Sequence, residues 1–188
     1  NTYSPWDTNN LIPFSGSILQ APFRNAIHGV SQDYDPSVSS LAQPNINYYT
    51  IGVYPNRAFI VSFANLALFG CSADTTVGAQ TSQIVLYESS NVIDVYVFRR
   101  AACSQWSNGN GLIGIQNQEG TSGIAPNGRN QGTWSATNEA WRFTPDGAVV
   151  QPSITWFNQN NDIIGTGATV TTCPTTQETY MVDVTYQN

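Results

Sequence analysis

At 188 residues, with 40% hydrophobic and 12% aromatic side chains, the chain carries enough apolar material for a packed core, which excludes disorder over most of its length. Only 10% of residues are charged, all six cations are arginines, and the net charge of −6 excludes the clustered positive surface that nucleic acid requires. No apolar run approaches the ~18 residues needed to span a bilayer, so direct membrane insertion is not expected.

Residues 1–47 are rich in Pro, Asn and Ser, and their apolar members, such as Trp6, Phe14, Phe23 and Ile27, follow neither a helical nor a strand period. This stretch reads as irregular. From Tyr48 onward short β-type runs recur with turn signals between them, the pattern of a sandwich or barrel. Tyr48–Tyr54 is the first, Pro55–Asn56 turns the chain, and Arg57–Phe63 follows. The clearest hairpin pairs Ser82–Tyr87 with Val92–Phe98 across Glu88–Asn91. In its second strand Ile93, Val95 and Val97 share one face and Asp94, Tyr96 and Phe98 the other, as suits burial on one side only.

The Asn-Gly steps of Ser107–Gly111 supply positive φ for a tight loop into the strand Leu112–Gln116. A second polar loop, Pro126–Asn130, precedes Glu139–Phe143, where Trp141 and Phe143 are expected on the core side. Pro145-Asp146-Gly147 is a strong break and sets the expected domains at 1–146 and 147–188. Beyond it Ser153–Phe157, Ile163–Thr172 and Glu178–Tyr186 read as three strands, too few to close a sandwich alone. With no signal-peptide pattern near Asn1, and β-type sequence running to the last residues, the chain reads as a piece of a longer protein.

Three stretches carry a resemblance. The hairpin SQIVLYESSNVIDVY (82–96), the segments IGIQN (113–117), PNGRN (126–130) and NEAWRFTP (138–145), and the final forty residues all resemble large multi-domain cell-surface proteins of Bacteroidetes. These are similar to the gliding-motility adhesins exported by the type IX secretion route. The first module is distantly similar to nidogen-like extracellular β-domains. The resemblance implies an all-β fold, with a nidogen-like or jelly-roll β-sandwich that has lost its first strands followed by part of an immunoglobulin-like module. It implies an extracellular location and a role in attachment or filament structure, and it transfers no catalytic residue. A cysteine pair of the family matches Cys71 and Cys103, and a disulfide between them would close a loop worth about 3–4 kcal/mol. The other reading is two buried thiols in a reducing compartment. Cys173 is left over, and the family pattern puts its partner just after Asn188.

Residues able to carry chemistry are scarce. His28 is the sole histidine, and Ala26-Ile27-His28-Gly29 reads as a loop or edge strand rather than a catalytic base. Without a Gly-x-Ser-x-Gly elbow or Cys-x-x-Cys spacing, neither a serine hydrolase nor a zinc site is expected, and no cofactor is expected. Asp33 and Asp35 alternate on an extended segment, so both carboxylates are candidate calcium ligands, with Asp7 or loop carbonyls completing the shell. The plainer reading is an Asx turn before Pro36, with Asp35 bonding the backbone. The same two aspartates are the best glycosidase pair available, without a visible cleft.

Trp106 and Trp134 lie in polar surroundings and, with Asn108 and Asn110, are candidate glycan-binding residues; the alternative is that they plug the end of a core. Asp74-Thr75-Thr76 resembles the O-glycosylation sequon of Bacteroidetes, with Thr75 the acceptor. The leading expectation is a non-catalytic structural and adhesive module whose partners are neighbouring domains of a longer chain or filament. The alternative is a lectin-like module of a surface protein that binds surface polysaccharide.

Overall fold

A computed structural model describes residues 12–13, 24–38, 43–147 and 152–185. They form twelve strands: β1 Ala26–Ser31, β2 Tyr34–Asp35, β3 Asn45–Ile51, β4 Ala58–Leu68, β5 Gln80–Tyr87, β6 Ile93–Arg100, β7 Leu112–Gln116, β8 Gly123–Ile124, β9 Ala136–Phe143, β10 Ser153–Phe157, β11 Ile163–Thr166 and β12 Met181–Thr185. Among the described residues there is no α-helix. The chain divides into two compact units, Asn1–Pro145 and Asp146–Asn188.

In the first unit a large antiparallel sheet runs in the order β2-β4-β5-β6-β9, with β3 also paired to β4. A smaller sheet, β1-β7-β8, lies against one of its faces. Both the fold class and its physical cause are those of a sandwich. Val95 and Val97 of β6 are fully buried against Val30 of β1, Ile113 of β7 and Trp134, with Trp141 and Phe143 of β9 packed alongside. The alternate residues Tyr96 and Phe98 are exposed, so burial follows a period of two from Val95 to Phe98, whereas Asp94, expected on the solvent side with them, is buried at 3% exposure. On the opposite face Ala58, Ile60 and Val85 form a second cluster with Tyr87.

The stretch expected to be irregular contains β1, β2 and the start of β3. That expectation failed because β1 carries His28-Gly29 at its centre, which breaks the apolar alternation. The glycine is there for packing: a Cβ on Gly29 would lie 2.6 Å from Cγ1 of Ile84 on β5, so the two sheets meet backbone to side chain. β4 is longer than its expected run and continues through a bulge between Phe63 and Leu66, where Asn65 takes φ 56°.

The second unit is a three-stranded antiparallel sheet, β11-β10-β12. β11 ends at Thr166 instead of reaching Thr172 because Gly167, at φ 94°, turns the chain, and its carbonyl accepts the Trp156 Nε1 proton at 2.9 Å. Every residue of β12 is exposed.

Candidate functional site

The ends of β4 and β6 and the loops that leave them build the most distinctive corner of the first unit. Cys71, just after β4, and Cys103, just after β6, are joined with Cα atoms 5.8 Å apart. The cystine packs with Leu68, Val77, Tyr34 and Ala101 in its own small core. Four residues on from Cys103, the chain turns tightly at Ser107-Asn108-Gly109, all at positive φ (45°, 51° and 69°). The Asn-Gly chemistry of this loop is what tolerates such a run.

This turn presents Trp106. Its ring meets Phe69 edge-on, with centroids 4.8 Å apart, and its Nε1 donates to Oδ2 of Asp33 at 2.7 Å. The Asp33 carbonyl in turn accepts the Phe69 amide at 3.0 Å. Gly70, at φ 76°, is required beneath the indole, since a Cβ there would stand 2.9 Å from that of Trp106. Burial pushes the Asp33 carboxyl above its usual range, the indole hydrogen bond opposes this, and the charge on Asp35 adds to the rise. Asp33, Phe69, Trp106, Ser107 and Asn110 line a shallow crevice of ≈ 10 Å³, room for about one water.

Beneath the crevice lies Arg100, 2% exposed. Its Nε donates to the Gln32 side-chain carbonyl at 3.0 Å, Nη2 to the Gly109 carbonyl at 2.8 Å, and Nη1 to the Trp134 carbonyl. Burial pulls this guanidinium down to about 10. Its carbon stands 4.0 Å from the centroid of Trp134, whose ring Arg129 also covers at 4.4 Å. Trp134 Nε1 donates to the Gly111 carbonyl at 2.9 Å.

Trp134 is therefore not a sugar platform. It is 8% exposed, and two guanidinium groups occupy its ring where a ligand would stack. Trp106, by contrast, is 36% exposed. Asn108 is exposed, and its carbonyl accepts from the Thr133 hydroxyl. Asn110 is half-buried, and its amide donates to the Ser107 carbonyl at 2.9 Å.

Asp35 adopts the Asx turn, accepting from Ser37 N at 3.1 Å and from the Ser37 hydroxyl. Asp33, the other candidate calcium ligand on this segment, is engaged by the Trp106 indole. No group of three or more His, Cys, Asp or Glu able to hold a metal occurs among the described residues, and Asp7 lies outside them. His28 is buried on β1, opposite Gly114 of β7. Thr75 is exposed, next to an Asp74 carboxylate that binds the Thr76 amide at 2.8 Å and hydroxyl at 2.6 Å. Cys173 is an exposed free thiol in the second unit.

The pairing of Asp33 with Trp106 joins two candidates that sequence reasoning kept apart. They are 73 residues distant, and no local pattern links them. Phe69 and Arg100 were missed as members of the same corner. Their only advance sign was their position beside a cysteine expected to be bridged.

The chain matches no curated protein and no solved structure at a significant level. A family model described as NIDO-related matches residues 5–157, most of the chain, and on that match the protein belongs to the NIDO-related family.

Proposed function

We propose that this protein is a non-catalytic structural and adhesive module of a large secreted surface protein of Bacteroidetes. In this reading it is of the gliding-motility adhesin type, is exported by type IX secretion, and has neighbouring domains of its own chain or filament as partners. The observation that carries the reading is the Cys71–Cys103 cystine within a NIDO-related β-sandwich. Disulfides persist in oxidising compartments and are rare in a reducing cytosol. A surface with so few charges, and with no lysine, fits a secreted module that works by contact and not by long-range electrostatics.

Protease shaving of intact cells of the source bacterium tests this reading. Peptides from β4–β6 should be released from the cell surface with Cys71 and Cys103 oxidised. Recovery of the protein only from the cytosol, with both thiols open to alkylation, would sink it.

A further inference from the structure

We propose that the Trp106–Phe69 corner, with Asp33, Ser107 and Asn110, is a contact site for one pyranose unit of a neutral polysaccharide. This deepens the adhesive reading by naming the class of molecule gripped.

The first support is rigidity without burial. Trp106 is held by its hydrogen bond to Asp33, by the edge-on contact with Phe69, by the Gly70 backbone beneath it and by the cystine three residues upstream. Even so, 36% of Trp106 and 45% of Phe69 face solvent. An aromatic residue that merely plugs a core end is covered, and Trp134 shows that outcome in the neighbouring loop at 8% exposure. A fixed, solvent-facing indole offers apolar area to the CH face of a sugar ring at little entropic cost.

The second support is the polar rim. Asp33, Ser107 and Asn110 line the same crevice, and side chains of these types can accept from and donate to sugar hydroxyls. A crevice of ≈ 10 Å³ cannot enclose a sugar, so the ring rests on the rim and a single contact is weak. Repetition along a filament would convert such contacts into firm attachment.

The third support is charge. A net charge of −6 and a carboxylate at the site disfavour uronate or sulfated glycans and leave neutral sugars as the class that fits.

The test is a titration of the full chain with cellohexaose, laminarihexaose and mannohexaose, followed through the indole N–H signals of its five tryptophans. At least one hexasaccharide should shift the Trp106 signal at millimolar concentration. Trp106→Ala should weaken binding at least tenfold, and Tyr48→Ala, on exposed β3, should leave it unchanged. If Trp106→Ala disturbs the fold, Asn110→Ala serves as the second variant and should weaken binding severalfold. The proposal is overturned if no hexasaccharide moves the Trp106 signal, if Trp106→Ala binds as wild type, or if only an anionic alginate oligomer binds. Those failures would leave the surface location, read separately by shaving, standing.

Discussion

Asp94 is 3% exposed on the outer face of the large sheet, where a carboxylate stays charged only with partners. Arg142 of β9 donates to both of its oxygens at 2.7 Å, and the Tyr96 hydroxyl adds a third bond at 2.8 Å. These bonds, that of Arg142 foremost, hold the Asp94 carboxyl below its ordinary value. Replacing Arg142 with Met strands the charge and should cost about 1–3 kcal/mol at neutral pH. Because the folded-state value is depressed, this contribution is present above the unfolded pKa of about 3.9 and fades as pH falls through the folded value. Urea unfolding of wild type and Arg142→Met should therefore show a gap at neutral pH that narrows below about pH 4. A gap of constant size would assign the loss to packing of the arginine stem instead.

Among the elements, those legible in the sequence are the ones whose own alternation matches their burial. β6 stands out because Val95 and Val97 are inside while Tyr96 and Phe98 are outside. β1 was hidden because its centre is shaped by a neighbour. Gly29 leaves room for Ile84, and no reading of residues 26–31 alone reveals a side chain more than fifty positions away. Gly29→Ala should therefore overpack the two sheets and destabilise the unit by about 1–3 kcal/mol. Ile84→Ala in the same molecule should recover part of that loss, as a double-mutant cycle by thermal or urea unfolding would show. Additive losses would mean that β1 does not press on β5 there. The same physics explains Trp134. Its sequence neighbours Thr133 and Ser135 are polar, but its cover comes from Arg100 and Arg129.

At the scale of the molecule, the sandwich closes through contacts that no short window contains: β1 onto the face of β5 and β6, and Cys71 to Cys103 across 32 positions. The all-β class was legible because turn signals recur at strand spacing. The division of labour between the two loop tryptophans was not, since it depends on which ring each arginine reaches. Replacing both Cys71 and Cys103 with Ala should lower stability by about 3 kcal/mol, because the open chain regains the freedom that the closed loop denies it. Chemical denaturation of oxidised and cysteine-free protein reads this difference directly. Equal midpoints would show that the small core around the cystine suffices without the bond.

The cystine also bears on how such a unit answers a pull. It spans from just after β4 to just after β6, so tension applied at the two ends crosses covalently between those points. β5 and β6, the strands at the heart of the large sheet, lie off the stressed route. An oxidised unit drawn out to full length falls short of the reduced one by roughly 110 Å, at about 3.5 Å for each of the 32 bypassed positions. Under such a pull, that shortfall keeps the central hairpin unstretched when the outer strands give way.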